Sequence, residues 1–207
     1  EGGEKTLAEV KNYSDGVLLC ADMREEKQVE RMVDEFAKAA GGIDVLVNNA
    51  GTMIGRQSME QCSVEYHDDV FATNVRSVFL GSRAALPYLK KSKGNIVNVS
   101  SVTGIRAFPN ILAYCVSKAA LDHLTRCIAL ELAPYEIRVN AVNPGVVVTN
   151  LHKAGGMNEE EYTRFLEHSK TTHPLGRVGR PEEVAELIKF LASDKAGWIT
   201  GETISID

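Results

Sequence analysis

Ile43-Asp44-Val45-Leu46-Val47-Asn48-Asn49-Ala50-Gly51 is the stretch on which the fold turns. The run at residues 43–47 is too short for a helix and nearly all apolar, which predicts a strand covered on both faces, as in a parallel sheet. It opens directly into two amides and two small residues, a strand end that lets another molecule approach the backbone; taken alone, those four residues also make a plain turn.

The pattern on either side repeats this alternation. Residues 25–40 carry Val29, Met32, Val33 and Phe36 at helical spacing and stop at Gly41-Gly42. Before them, Gly16-Val17-Leu18-Leu19-Cys20-Ala21 reads as an earlier strand ending at Asp22. Downstream come a long helix within 63–90, a strand over 94–100, a helix over 112–133 closed by Pro134, and a strand over 137–142 that empties into Asn143-Pro144-Gly145. Residues 150–173 are polar, with Gly155-Gly156 and Glu159-Glu160-Glu161, and read as a surface excursion of the kind that forms a lid over the site in α/β enzymes. Arg180-Pro181-Glu182-Glu183 opens a helix reaching about Ala192, with proline and carboxylates in its first turn, and 202–206 is a last strand. Strands alternating with helices predict an α/β fold, and 207 residues predict one domain over 1–207.

The formal net charge of −5 argues against a nucleic-acid partner. No apolar run approaches the ~20 residues needed to cross a bilayer, so no membrane partner is expected. The four cysteines show no C-x-x-C spacing, which predicts free thiols, a cytoplasmic location and no metal site. The five histidines read as surface residues and Cys115 as a packing residue.

Tyr114 and Lys118 lie four apart on a predicted helix and so leave the same face. An ammonium beside a phenol lowers the phenol's pKa and makes it a proton exchanger; an amphipathic core tyrosine with a lysine snorkelling to water has the same spacing. Ser101 follows the carboxyl end of a strand, where open α/β sheets bind ligands, and offers a donor to a developing oxyanion, although strand-end turns also favour serine. Asn74 is a poor helix former in mid-helix, which calls for either solvent exposure or a role. Pro144-Gly145 and Thr149 supply a bend and a hydroxyl on the same sheet edge.

In order and spacing, Asn48-Asn49-Ala50-Gly51, Asn74, Ser101, Tyr114-x-x-x-Lys118 and Asn143-Pro144-Gly145 resemble the motif series of the short-chain dehydrogenase/reductase family. The stretch from Pro174-Leu175-Gly176-Arg177 to Ile199-Thr200-Gly201-Glu202 resembles its C-terminal part. The resemblance implies a Rossmann-like doubly wound parallel sheet and an NAD(P)-dependent oxidoreductase that interconverts a secondary alcohol and a ketone, with either NAD or NADP as cofactor. Members with a similar pattern include 3-oxoacyl-carrier-protein reductases and hydroxysteroid or sugar dehydrogenases. It further implies Tyr114 as general acid/base, Lys118 lowering its pKa while holding the nicotinamide ribose, Ser101 polarising the substrate oxygen, and Asn74 holding a water that links Lys118 to solvent. Asp22 and the backbone of Met23 would read the adenine ring, Asn49, Ala50 and Gly51 would lie against the adenosine ribose, and Val147 and Thr149, after Pro144 and Gly145, would fix the carboxamide. Substrate choice would fall to the 150–173 lid with Thr103, Arg106 and Phe108, and the two long helices would pair copies into a homodimer or homotetramer.

The family opens with a strand, a glycine-rich turn, a helix and a second strand that this sequence does not contain, and Glu1-Gly2-Gly3 is no substitute. In a strand order of 3-2-1-4-5-6 those strands lie between 16–21 and 43–47, so the first βαβ part is expected to be missing from a longer protein. The alternative is a non-catalytic, dehydrogenase-like oligomerisation or interaction protein that has lost its phosphate-binding turn.

Overall fold

The computed structural model describes residues 2–207. Four strands, β1 (Val45–Asn48), β2 (Asn95–Val99), β3 (Arg138–Pro144) and β4 (Thr203–Ile206), pair in parallel in the order β1-β2-β3-β4. Eight helices accompany them among the described residues: α1 (Gly2–Val10), α2 (Glu26–Ala40), α3 (Val64–Phe71), α4 (Ser77–Ser92), α5 (Leu112–Leu132), α6 (Leu151–Ala154), α7 (Glu159–Thr172) and α8 (Pro181–Ala192). The α/β expectation holds.

The two central strands, β2 and β3, are covered on both faces, as their composition requires. On one side Ile96 and Val139 pack with Val29 and Val33 of α2, Leu80 and Leu89 of α4, and Leu132 of α5. On the other, Val97 and Val142 pack with Leu191 of α8 and with Ala196. A line of polar groups crosses the first side: Asn48 Nδ2 donates to Asn98 Oδ1 at 2.8 Å and to Ser82 Oγ at 3.2 Å, and Asn98 Nδ2 donates to Thr125 Oγ1 at 2.9 Å. It ties β1 to β2, and both strands to α4 and α5.

Several expectations are corrected. Residues 16–21 form no strand, because a strand needs a ladder partner and none pairs with them among the described residues. β1 is an edge strand among the described residues, with Val45 39% and Val47 41% exposed rather than covered. The helix expected within 63–90 is α3 and α4 joined by a π-helical turn over Ala72–Arg76. The polar excursion at 150–173 folds into α6 and α7, the latter opened by a capping box in which Asn158 Oδ1 accepts from the Glu161 amide at 2.9 Å and a Glu161 carboxylate oxygen accepts from the Asn158 amide at 3.0 Å. The histidines are not uniformly superficial either. His152 rests against Phe165 with ring centroids 4.5 Å apart, and burial together with the nearby Arg56 charge holds it below the ordinary histidine range.

Candidate active site

Four of the residues singled out in the sequence meet at the carboxyl ends of β1 and β2. Ser101 follows β2 in extended conformation and caps a single 3-10 turn over Val102–Gly104, its Oγ accepting from the Thr103 amide at 3.2 Å. Its hydroxyl proton is therefore free to donate. Tyr114 stands in the first turn of α5, buried with Met53, Ile111 and Cys115 and covered by Leu151 of α6. Ser101 is near enough to its phenol to favour the ionised form against the effect of burial. One turn on, buried Lys118 donates from Nζ to the Val99 carbonyl at 2.9 Å, with Nζ 5.7 Å from the Tyr114 ring centroid.

Asn74 is 0% exposed, so solvent does not explain it. Instead the π turn carries its side chain out of the helix: Oδ1 accepts from the Thr52 amide at 2.7 Å, and Nδ2 donates to the Thr52 carbonyl at 3.0 Å and to Ser117 Oγ at 3.0 Å. Gly51 closes the group. A Cβ built there would lie 3.4 Å from Asn74 Oδ1 and 3.5 Å from Lys118 Nζ, so the missing side chain leaves the ammonium facing an open strand end.

Burial dominates the electrostatics. It pushes the Tyr114 phenol up to about 12, with Ser101 opposing, and it lowers the Lys118 amine to about 8, with the Asp122 charge opposing. The lowering of the phenol by Lys118 expected from the sequence is not among the causes; desolvation is the largest of them, and the phenol is held protonated at neutral pH.

The remaining candidates form two outer groups. Met23, Asn49 and Ala50 share the wall of a cavity of about 230 Å³ alongside β1. Asp22 is committed to Arg24, whose Nε and second guanidinium nitrogen donate at 3.0 Å and 2.8 Å, and this pair, led by the side-chain hydrogen bond, lowers the Asp22 carboxyl to about 2. Beyond β3, Gly145 donates to the Ile206 carbonyl at 3.0 Å, Val147 bridges Gly179, and Thr149 accepts from Tyr162 Oη at its carbonyl, at 3.0 Å, and from the Leu151 amide at its hydroxyl, at 3.4 Å. Pro144 closes β3.

These residues fit a nicotinamide dinucleotide. Among the described residues the Val99 carbonyl is the one hydrogen-bond acceptor of the Lys118 ammonium, which leaves donors facing the exposed Asn49-Ala50-Gly51 edge, a chemistry suited to ribose hydroxyls. Sequence reasoning missed His173, which accepts from the Val146 amide at 3.1 Å, and Asp122, buried behind Ser101; no motif spacing marks either. Among the described residues no group of His, Cys, Asp and Glu could hold a metal, and no helix is long and apolar enough to cross a membrane.

The family model described as enoyl-(acyl carrier protein) reductase matches residues 1–207, the whole of a parallel sheet covered by helices with a serine, a tyrosine and a lysine gathered at its carboxyl edge. The chain belongs to the short-chain dehydrogenase/reductase family and is an NAD(P)-dependent oxidoreductase with the Rossmann-like fold. It is 40% identical over 188 residues to a 3-oxoacyl-[acyl-carrier-protein] reductase of Thermotoga maritima, covering 90% of this chain and 73% of that protein. A 7alpha-hydroxysteroid dehydrogenase of Clostridium sardiniense is 39% identical, over 86% of this chain and 67% of that protein. The crystal structure of a short-chain dehydrogenase/reductase of unknown function from Caenorhabditis elegans with cofactor superposes with a TM-score of 0.92 at 33% identity, covering 99% of this chain and 80% of that one.

Proposed function

We propose that the protein interconverts a secondary alcohol and a ketone, with Tyr114 as the general acid/base. The observation that carries this reading is the gathering of buried Ser101, Tyr114 and Lys118 at the carboxyl end of β2, with Lys118 one helical turn from Tyr114 and bonded to the Val99 carbonyl. The nicotinamide of NAD or NADP supplies or accepts the hydride when bound. In reduction, the Tyr114 hydroxyl gives its proton to the carbonyl oxygen while the Ser101 hydroxyl donates to the same oxygen as negative charge builds there. In oxidation, the Tyr114 phenolate takes up the alcohol proton, with the Lys118 ammonium one helical turn away. Asn74, fixed on Thr52 beside Lys118, would hold the water that passes the proton on.

In this reading Asn49, Ala50 and Gly51 take the adenosine ribose, Asp22 and Met23 the adenine, and Val147 and Thr149 the carboxamide. Residues 150–173 form the lid of the single 1–207 domain, supported by the packing of Leu151 on the Tyr114 cluster. Exposed Phe79 of α4 and Val116 of α5 support a homodimer or homotetramer, and four free cysteines support a cytoplasmic location. No feature of the site favours the non-catalytic alternative.

The test is to titrate the full chain with NADH and NADPH by fluorescence, then to follow turnover on a panel including cyclopentanol and a hydroxysteroid. Binding of one cofactor with turnover of a secondary alcohol is expected. Binding of neither would overturn the proposal.

A further inference from the structure

Asp122 lies one turn beyond Lys118 on α5 and is buried, yet the chemistry above makes no use of it. Burial pushes its carboxyl up, and hydrogen bonds from its surroundings oppose that. Asn143 Nδ2, from β3, donates to Asp122 Oδ1 at 3.1 Å and Oδ2 at 2.9 Å, and the nearby Ser100 hydroxyl donates to the Lys118 carbonyl at 3.3 Å. The same Asn143 Nδ2 donates to the Ser101 carbonyl at 3.0 Å. With only acceptors on that side the amide has a single workable orientation, and this leaves Asn143 Oδ1 buried without a partner. Gly104, which ends the turn begun by Ser101, makes room for the carboxylate: a Cβ there would lie 2.4 Å from Asp122 Oδ2 and 3.0 Å from the Lys118 carbonyl.

We infer that Asp122 is a positioning residue that acts on two members of the active site at once: through Asn143 it anchors the backbone of Ser101, and from one helical turn away it sets a carboxylate on the same buried helix face as Lys118. The inference rests on the roles assigned above to Ser101 and Lys118. The charged groups acting on Asp122 are Lys118 and Arg126 of its own helix, while β3 and the 100–104 turn contribute the neutral Asn143, Ser100 and Gly104. Asp122 is likewise the charge acting on Lys118, where it opposes the effect of burial.

Two variants separate the two actions. Asp122→Asn keeps an acceptor for Asn143 and removes the charge; Asn143→Ala keeps the charge and cuts the tie to Ser101. The titration of Lys118 Nζ is followed by 15N NMR in the ligand-free full chain, with Lys118→Arg identifying the resonance. The midpoint is expected to fall by roughly one pH unit in Asp122→Asn and to stay in place in Asn143→Ala. In the same preparations kcat on a secondary alcohol is expected to fall about tenfold or more in Asn143→Ala, with the KM for cofactor held within about twofold. An unmoved midpoint in Asp122→Asn, or an unchanged kcat in Asn143→Ala, overturns the inference. Should Asp122→Asn not fold, Asp122→Ser makes the same comparison. A Tyr114→Phe variant that still turned over would instead remove the assigned chemistry, and the NMR midpoint would report on Asp122 regardless.

Discussion

The imidazole Nε2 of His173 accepts a hydrogen bond from the Val146 amide at 3.1 Å. Nδ1 faces the Ser169 carbonyl at 2.7 Å, so the two partners fix the tautomer with the proton on Nδ1. The ring thereby joins the end of α7 to the segment leaving β3, beside Gly145, whose absent Cβ would lie 2.8 Å from Nε2. His173→Phe leaves the Val146 amide without an acceptor and should cost about 1–3 kcal/mol in urea unfolding. It should also raise the KM for cofactor, since Val147 and Thr149 follow directly. A loss below about 0.5 kcal/mol would mean that water replaces the ring without penalty.

Tyr114→Phe keeps the ring in its cluster with Met53 and Ile111 and deletes the proton. Turnover should fall by roughly 10²–10⁴-fold, while cofactor affinity, read by fluorescence, changes little. Turnover at the wild-type level would take Tyr114 out of the chemistry.

Lys118 gives the ligand-free chain a pH-dependent stability. Its amine is lowered from 10.5 to about 8 by burial, so between those values the unfolded chain binds the extra proton and the folded chain does not. Stability contributed by this site therefore rises with pH across that window, by about 3 kcal/mol in all. Lys118→Met should be the more stable protein near neutrality, and its advantage should shrink as the pH passes from about 8 towards 10.5. Parallel unfolding curves for the two proteins across that range would refute this assignment.

Gly104→Ala places a methyl 2.4 Å from Asp122 Oδ2. The near neighbours include helix backbone, which cannot give way cheaply, so a loss of about 1–3 kcal/mol in thermal unfolding is expected. A stability within about 0.5 kcal/mol of wild type would mean that the 101–104 turn adjusts freely.

What the sequence disclosed follows the range of each interaction. The strands near 43–47, 94–100, 137–142 and 202–206 were legible as short apolar runs, which in the two central ones reflect burial on both faces, and the helices because Val29 and Val33 repeat with the helical turn. Residues 16–21 misled because β propensity is local whereas a ladder is not. Within 63–90, Asn74 signalled an interruption, but a π turn depends on Thr52 and Ser117, far away in the chain. The capping pair Asn158 and Glu161 could have marked α7 in the polar segment. His173 and Asp122 carried no local sign, since their partners come from other elements of the fold.

Asn48 and Asn98 face each other as partners in the β1–β2 register and share a 2.8 Å hydrogen bond. Strands made almost wholly of valine, leucine and isoleucine bury equally well after sliding by two residues, so hydrophobicity alone would leave their alignment degenerate. The amide pair lifts that degeneracy: any slip strands one amide in an apolar interior, at a cost of several kcal/mol. The same alignment sets how far each strand end projects, and thereby the height of Gly51 relative to Ser101. A core amide distant from the reacting atoms thus carries the dimensional tolerance of the cleft.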